Sequence, residues 1–254
     1  MKGNKMAGRL QGKNAMVTGG ARGIGGAIAT AFAREGADVA VLDLEIEAAE
    51  AKVAALTPFG VKTFAVAADV SDEGQVKTAV AATIAALGRI DILVNNAGID
   101  TTSIVAEMDT AMWDQMMAVN LRSVFLCTRA VLKPMIARKF GRIINIASQL
   151  GHKGAPEMAH YAAAKAGVIG FTKSLAYEVA RDGVTVNAIC PGPIDTELFR
   201  GLPEEWRKRK LNELPIGRAG QVEEIAPTAI LLASEEGAYY VGVTMNPNGG
   251  DVML

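Results

Sequence analysis

Short apolar runs alternate with longer stretches of helical pattern along most of the chain. The predicted strands cover residues 13–17, 38–43, 61–70, 91–98, 142–147, 185–189 and 240–247. The helical patterns between them cover residues 27–35, 45–56, 71–87, 110–139, 159–181 and 222–233. Strands that alternate with helices form βαβ units, which build a parallel sheet with helices on both faces. The pattern therefore predicts an α/β protein with a doubly wound parallel sheet of about seven strands.

The length of the chain fits one domain. A chain of 254 residues is long enough for a large α/β domain and short for two. The sequence shows no repeat, linker or low-complexity tract, so we predict a single domain over residues 1–254. Residues 1–9 are expected to form a loose tail. Residues 195–220 follow a strand end and mix apolar with charged positions, which is typical of a lid over a substrate.

The charge balance and the hydropathy pattern argue against several classes of partner. Lys and Arg number 26 and Asp and Glu number 27, so the net charge is −1, whereas a nucleic-acid partner would require a basic excess. No apolar run is long enough to span a membrane, and the N-terminal residues lack the apolar core of a signal peptide. We expect a cytoplasmic protein with neither nucleic-acid nor membrane partner. Its two cysteines and two histidines indicate no metal site.

A glycine-rich turn joins the first predicted strand to the helix that follows it. Residues 18–25 read Thr-Gly-Gly-Ala-Arg-Gly-Ile-Gly. Glycines at such a turn let the backbone approach a pyrophosphate, and the free N–H groups of the following helix face the anion. The strand–turn–helix context favours a dinucleotide site over a plain turn.

Asp43 closes the second predicted strand, 18 residues after Gly25. An acid at about this distance from the turn accepts hydrogen bonds from the adenosine ribose and repels a 2′-phosphate, so Asp43 favours NAD over NADP. Arg22 argues the other way, because a guanidinium near the ribose could pair with a 2′-phosphate. The alternative role for Asp43 is to cap the helix predicted over residues 45–56.

Tyr161 and Lys165 are the candidate catalytic pair. They are four positions apart, so on the helix predicted over residues 159–181 they lie on one face. A lysine ammonium near a phenol favours the phenolate, so we expect the pKa of Tyr161 to fall toward the range useful for proton exchange with an alcohol or a carbonyl. Ser148 follows the strand over residues 142–147, where its hydroxyl could bind the same oxygen. Taken alone, the pair also fits a surface tyrosine beside a solvated lysine.

Together these motifs resemble the short-chain dehydrogenase/reductase family over about residues 10–250. The motifs that match in order and spacing are the glycine-rich turn, Asn95–Gly98, Asn120, Ser148, the Tyr161/Lys165 pair and Pro191-Gly192. The resemblance implies a Rossmann-type fold and a nicotinamide cofactor. It implies that Tyr161 is the general acid or base and that Lys165 lowers its pKa and binds the nicotinamide ribose. Ser148 would position the substrate oxygen, and Asn120 would hold a water in a proton relay behind Lys165.

The resemblance also implies which residues contact the cofactor. The implied contacts are Gly19, Arg22, Gly23, Ile24, Gly25, Asp43, Asp69, Val70, Asn96, Ala97, Gly98, Tyr161, Lys165, Pro191, Gly192, Ile194 and Thr196. Within this set, Asp69 and Val70 would flank the adenine, and Ile194 and Thr196 would bind the carboxamide.

Members of this family are often homotetramers, and we expect the same here. The small residues of the helix over residues 159–181 fit close packing between subunits, and they equally fit burial against the sheet; they are Ala162, Ala163, Ala166 and Gly170. Asn248 departs from the family pattern, in which an aspartate often precedes the final glycine pair.

The predicted activity is hydride transfer between NAD(H) and a secondary alcohol or its ketone. The candidate substrate-binding residues are Gln149, His152, Glu157, Phe199 and Trp206. The polar members suit a polyol or a sugar-derived alcohol, although His152 and Glu157 equally fit ordinary loop positions. The alternative activity is the reduction of a 3-oxoacyl thioester of acyl carrier protein, which often goes with NADPH. A non-enzymatic dinucleotide-binding regulator is a further alternative, but such a protein would be expected to lack at least one of the four catalytic residues.

Overall fold

Seven parallel strands form one sheet in the computed structural model, which describes residues 8–254. The strands are β1 (Asn14–Thr18), β2 (Asp38–Asp43), β3 (Thr63–Ala67), β4 (Ile92–Asn95), β5 (Gly141–Ile146), β6 (Val184–Ile189) and β7 (Thr244–Met245). Their order across the sheet is β3-β2-β1-β4-β5-β6-β7. The order reverses between β1 and β4, and ligands of open α/β sheets bind in the crevice at such a point. The predicted doubly wound parallel sheet of seven strands is confirmed.

Helices cover both faces of this sheet. They are α1 (Gly23–Arg34), α2 (Ile46–Leu56), α3 (Glu73–Leu87), α4 (Thr110–Met117), α5 (Ser123–Ala137), α6 (Leu150–Lys153), α7 (Ala159–Val179), α8 (Glu197–Arg200), α9 (Glu204–Glu213) and α10 (Ala226–Ala233). A π-helical turn, Ala118–Arg122, joins α4 to α5. Within residues 8–254, no helix combines the length and the apolar character needed to cross a bilayer.

The sheet is buried on both of its faces. Consecutive side chains of a strand point to opposite faces, and accordingly Ala15 and Val17 pack in one apolar cluster while Met16 packs in another. Because helices cover both faces, the strands read as continuous apolar runs and not as an alternating pattern. The loops at the carboxyl ends of the strands are therefore mounted on a rigid core.

Several predicted boundaries are wrong in detail. β3 is shorter than the strand predicted over residues 61–70, and β7 has only two residues of the run predicted over 240–247. α1 begins at Gly23, four residues before the predicted start at Ala27. The single helix predicted over residues 110–139 is interrupted by the π turn, in which the Asn120 side chain bonds to Ile99 of the loop after β4.

The N-terminal segment is only partly within the described residues. Residues 1–7 of the loose tail predicted over 1–9 lie outside them. The prediction is wrong at Arg9, whose backbone N–H donates to the Glu35 carboxylate at 2.8 Å. The next residue, Leu10, is fully buried and donates to the Glu35 carbonyl at 2.9 Å, so the chain is fixed from this point onward.

Candidate active site

A cavity of about 500 Å³ lies at the carboxyl ends of β1, β4, β5 and β6. The glycine-rich turn after β1 forms one end of the cavity, and helices α8 and α9 line the other. The four predicted catalytic residues Asn120, Ser148, Tyr161 and Lys165 all line it. The predicted cofactor residues that line it are Gly19, Arg22, Gly23, Ile24, Asp43, Asn96, Ala97, Gly98, Tyr161, Lys165, Pro191, Gly192, Ile194 and Thr196. Their contacts with a cofactor remain predictions.

The turn between β1 and α1 fits a pyrophosphate. Gly19 and Gly23 have φ angles of 58° and 54°, which favour glycine. A Cβ on Gly25 would lie 2.2 Å from the carbonyl oxygen of Gly19, so this position serves close packing of the turn although it does not line the cavity. The first turn of α1 carries no acidic residue and no side-chain cap, which leaves its N–H groups for an anion.

Asn96 shapes this turn through its side chain. Its amide donates to the carbonyl oxygens of Thr18 at 3.0 Å and Gly19 at 2.9 Å. The Thr18 hydroxyl in turn accepts from the backbone N–H of Asn96 at 3.0 Å, so the ends of β1 and β4 are tied together. Asn95 points away from the cavity, because its amide donates to Thr128 at 3.0 Å and Asn145 at 2.8 Å in the interior.

Asp43 lies beside the turn and does not cap α2. Its carboxylate accepts from the N–H groups of Ala21 at 3.1 Å and Leu44 at 2.9 Å. The residue that precedes α2 is Glu45, which makes no side-chain cap. The alternative capping role is therefore wrong, and the Asp43 carboxylate faces the cavity.

Arg22 is held by carboxylates. Its guanidinium forms an ion pair with Glu45 and lies 3.7 Å from Glu197 of α8. The hydrogen bond and the charge of Glu45 are the main reasons that the pKa of Arg22 is raised. The positive charge that could attract a 2′-phosphate is thus already paired.

Asp69 and Val70 do not line the cavity. The Asp69 carboxylate accepts from the backbone N–H and the hydroxyl of Ser71, at 2.8 and 2.7 Å. Val70 is buried in the apolar cluster beneath α3. In the described structure both residues shape the start of α3, and their adenine contact stays a prediction.

α7 places Tyr161 and Lys165 one helical turn apart on the cavity wall. The Lys165 Nζ lies 5.6 Å from the centre of the Tyr161 ring and donates to the carbonyl oxygen of Ile146 at 2.9 Å. Lys165 is only 4% exposed, so the alternative of a solvated surface lysine is wrong. Ser148 stands opposite them after β5, and its hydroxyl accepts from the N–H of Leu150 at 3.1 Å.

The expected fall in the pKa of Tyr161 is wrong. Burial raises the pKa of Tyr161 and the Asp100 carboxylate adds to the rise, whereas the hydrogen bond with Ser148 acts in the opposite direction. Burial lowers the pKa of Lys165 to about 8, against the attraction of Asp100. Tyr161 is therefore held as a phenol, and Lys165 titrates close to neutral pH.

The Asn120 side chain fixes the loop that follows β4. Asn120 is fully buried in the π turn; its amide donates to the carbonyl oxygen of Ile99 at 2.9 Å and accepts from the Ile99 N–H at 3.1 Å. π turns are rare and often mark functional sites. The amide nitrogen and oxygen of Asn120 both bond to Ile99, so a water in a proton relay would have to bond to another group of this residue.

Asp100 is a cavity residue that the sequence patterns do not reveal. It lines the same cavity as Tyr161 and Lys165, and its Oδ1 is shielded from solvent and has no hydrogen-bond partner. Burial raises the pKa of Asp100 to about 7. In the sequence it follows the Asn95–Gly98 turn and belongs to no motif, so only its position in space identifies it.

The substrate end of the cavity is mostly apolar. Of the predicted substrate residues, Gln149, Phe199 and Trp206 line it, whereas His152 and Glu157 do not. The side chain of His152 lies near Asn246 and Lys173 instead. The sequence analysis missed the apolar lining residues because they come from separate elements; they are Ile99, Leu150, Met158, Leu198 and Leu202. Among residues 8–254, no three His, Cys, Asp or Glu side chains are grouped as metal ligands would be.

Comparison with known proteins identifies the class. The sequence profile of the short chain dehydrogenase family matches residues 13–206. The chain belongs to the short-chain dehydrogenase/reductase family, whose members are oxidoreductases that bind a nicotinamide dinucleotide, and the predicted resemblance is confirmed.

Two curated relatives and two solved structures match nearly the whole chain. The chain is 41% identical over 242 residues to the 3-oxoacyl-(acyl-carrier-protein) reductase FabG of Staphylococcus aureus, covering 95% of this chain and 98% of the relative. It is 46% identical over 239 residues to nodulation protein G of Azospirillum brasilense, with 94% and 97% covered. A short-chain type dehydrogenase/reductase from Mycobacterium marinum has a TM-score of 0.92 at 32% identity, covering 96% of this chain and 97% of that one. Levodione reductase has a TM-score of 0.91 at 34% identity, with 95% and 98% covered.

Proposed function

We propose that this protein reduces 3-oxoacyl thioesters to 3-hydroxyacyl thioesters with NADH. The observation that carries the proposal is the apolar wall next to Tyr161, where Leu150, Met158, Leu202 and Trp206 form one buried cluster. Such a wall suits an acyl chain, whereas the hydroxyls of a polyol would lose water there without gaining polar partners. Relatives named as reductases of this substrate are 40–42% identical to the chain, which supports the acyl thioester over the polyol predicted first.

The residues around the cavity divide the chemistry between them. A bound nicotinamide supplies the hydride that the carbonyl carbon accepts. Tyr161 gives its phenolic proton to the carbonyl oxygen, and the Ser148 hydroxyl donates a hydrogen bond to that oxygen. Lys165 then returns a proton to Tyr161. All the named residues line one cavity, which supports an enzyme over the non-enzymatic regulator.

The proposed preference for NADH rests on the acidic groups around the adenosine end of the cavity. Asp43 faces this end, and Glu45 and Glu197 both pair with Arg22. A 2′-phosphate would meet these carboxylates without a free guanidinium to offset them. Ribose hydroxyls, in contrast, can donate to the Asp43 carboxylate.

The test has two arms. In the first, purified protein is titrated with NADH and NADPH by fluorescence; we expect NADH to bind at least about tenfold more tightly, about 1.4 kcal/mol. Asp43→Ser should reduce this preference, whereas Asp38→Ser, whose carboxylate accepts from Lys62 at the other end of β2, should not. Tighter binding of NADPH would contradict the cofactor assignment.

In the second arm, the rates of reduction of 3-oxobutanoyl-CoA and of oxidation of sorbitol are compared with each cofactor. We expect the thioester to have the higher kcat/KM. Turnover of the polyol alone would contradict the proposed substrate and restore the polyol prediction.

We also propose a homotetramer in the cytoplasm. Ala166 and Gly170 are exposed on α7, so the alternative that this small-residue face is buried against the sheet is wrong at both positions. Tyr177 on the same helix is 92% exposed, and Phe125 of α5 is 43% exposed. Aromatic side chains of this size are enriched in subunit interfaces.

A further inference from the structure

Asp100 is an ionisable residue of the catalytic cavity to which the mechanism above gives no role. Its Oδ1 is buried in the wall shared with Tyr161 and Lys165, and within residues 8–254 it has no hydrogen-bond partner. Buried carboxylate oxygens nearly always have a hydrogen-bond partner, so an unpaired one in a cavity indicates a functional position.

The loop that carries Asp100 is fixed on both sides. Before it, Ile99 exchanges two backbone hydrogen bonds with the Asn120 side chain, at 2.9 and 3.1 Å. After it, the Thr101 hydroxyl lies 2.8 Å from Nε2 of His160 on α7. The backbone that carries the carboxylate is therefore held at the cavity wall.

The electrostatic environment of Lys165 depends on Asp100. The charged or titratable groups that face Lys165 are Asp100 from the loop after β4, Tyr161 one turn earlier on α7, and Cys190 after β6. Burial raises the pKa of Cys190 to about 12, so the thiol is neutral. His160, beyond Thr101, is also neutral because burial lowers its pKa. Among these described groups Asp100, whose pKa burial raises to about 7, is therefore the one that carries a negative charge above neutral pH.

We propose that Asp100 is a positioning residue that keeps Lys165 charged, so that Lys165 can return the proton that Tyr161 gives to the substrate. The inference rests on the reductase function proposed above. In each cycle the Tyr161 O–H bond breaks and its proton joins the substrate oxygen, while the hydride adds to the carbonyl carbon. The phenolate takes a proton from the Lys165 ammonium, and the resulting amine takes one from water. Above about pH 7, where Asp100 is ionised, its carboxylate stabilises the ammonium and is not consumed.

The direction in which the pKa of Lys165 should change on removal of Asp100 follows from the negative charge of the carboxylate. Burial lowers the pKa of Lys165 to about 8 and Asp100 opposes this fall. Without the carboxylate the pKa of Lys165 falls further, and a smaller fraction of Lys165 carries a proton at neutral and alkaline pH. Asp100 also raises the pKa of Tyr161, so its removal makes the phenol easier to deprotonate.

The direct test measures the pKa of Lys165 in the full-length protein without substrate. The carbon-13 shift of Lys165 Cε, assigned by comparison with Lys165→Arg, is followed against pH in the wild type, Asp100→Asn and Asp100→Glu. We expect the midpoint to fall by about one pH unit in Asp100→Asn and to stay near the wild-type value in Asp100→Glu. The matched control is Asp109→Asn, since Asp109 is an exposed cap of α4 and should leave the midpoint unchanged. An unchanged or higher midpoint in Asp100→Asn would overturn the proposal.

The kinetic test is the pH profile of kcat/KM for reduction of 3-oxobutanoyl-CoA. In Asp100→Asn, the alkaline limb should move to lower pH by about the same one unit, while the rate at acid pH stays within a few-fold of the wild type. A uniform loss at every pH without a shift would indicate a structural role and would also overturn the proposal. If the wild type reduces no 3-oxoacyl thioester, the proposed function fails, and the Lys165 titration still decides the role of Asp100.

Discussion

Tyr161 is held as a phenol, and this protonation state bears on the direction of the reaction. Burial and the Asp100 carboxylate both raise its pKa. A protonated phenol can give a proton to a carbonyl oxygen, whereas oxidation of an alcohol requires the phenolate to accept one. Tyr161 is thus in the protonation state from which the proposed reduction starts.

Replacing Tyr161 with Phe should abolish turnover and leave NADH binding within about threefold of the wild type. The substitution removes only the phenolic proton donor, and general acid catalysis is worth about 10²- to 10⁴-fold in rate. Steady-state kinetics and fluorescence titration measure the two effects separately. Tyr177→Phe is the matched control, because Tyr177 lies on the same helix and is 92% exposed. Wild-type turnover in Tyr161→Phe would refute the assignment.

Sequence patterns predicted the residues whose chemistry depends on spacing along the chain. Tyr161 and Lys165 are one helical turn apart, so their relation is local. Asp100, Met158 and Leu202 were missed because they meet the site only through the packing of separate elements. The pKa of Tyr161 was predicted in the wrong direction, since spacing shows its neighbour on the helix but not its burial or the carboxylate across the cavity.

At the scale of elements, a cluster of ion pairs joins α6 and α9 to the C-terminal segment. Asp251, near the C-terminus, accepts from Lys153 at the end of α6 at 2.7 Å and from Lys210 of α9. The side chains of Lys210 and Asp251 are 4% and 2% exposed. Lys210 also lines the cavity, so this contact sets the position of α9 over the substrate end.

Asp251→Asn should destabilise the protein by about 3 kcal/mol and raise KM for the substrate, because it leaves buried Lys210 with only the half-exposed Glu213 carboxylate, 3.4 Å away, as a counter-charge. Burial alone would raise the pKa of Asp251, but the hydrogen bonds from Lys153 and Lys210 lower it overall. A lowered carboxyl pKa gives stability that is present above the ordinary value of 3.8 and is lost as pH falls through the folded-state value. Denaturant unfolding of both proteins across this pH range is the measurement.

The difference in the free energy of unfolding between wild type and Asp251→Asn should therefore shrink as the pH drops below about 4. Glu213→Gln is the control, because the Glu213 side chain is 48% exposed at 3.4 Å from Lys210 and should contribute less than about 1 kcal/mol. A difference that does not depend on pH would argue against the ion pair as its cause.

The bounds of some helices and strands were predicted more accurately than those of others. β1, β2, β5 and β6 were found within one or two residues, because apolar runs bounded by turns are strong signals. The bounds of α9 were not predicted within residues 195–220, since its surface is mostly charged and its periodicity is weak. The short β7 was overestimated, because apolar residues around it pack as loop and not as strand.

At the scale of the whole molecule, the expected homotetramer can be tested by mass. Size-exclusion chromatography with light scattering should give about four times the chain mass of 26.6 kDa. Gly170→Arg should lower this mass, and it should spare the subunit itself because no atom lies within 4 Å of the position of the added Cβ. Ala51→Arg, at an exposed position of α2, should keep the wild-type mass. A monomer mass for the wild type would contradict the expectation.

The overall architecture was predictable because it depends on the alternation of strands with helices and on the handedness of the connections between strands. Strands that alternate with helices must be parallel, and right-handed crossovers leave few possible orders for seven strands. The content of the cavity was not predictable to the same degree. Its walls combine four strand ends with a lid, and no pattern along the chain records which side chains face each other across that space.

The π turn at Ala118–Arg122 has a consequence for how this protein can change over evolutionary time. A π turn holds one residue more than the α-helical turn it replaces. Deleting one residue would let α4 and α5 merge into a continuous helix and rotate one half against the other by about 100°. Asn120 would then lose Ile99, and the loop after β4 would be released. Apart from Asn120, substitutions can accumulate in this segment, but insertions and deletions cannot, so its length should be retained where the rest of its sequence is not.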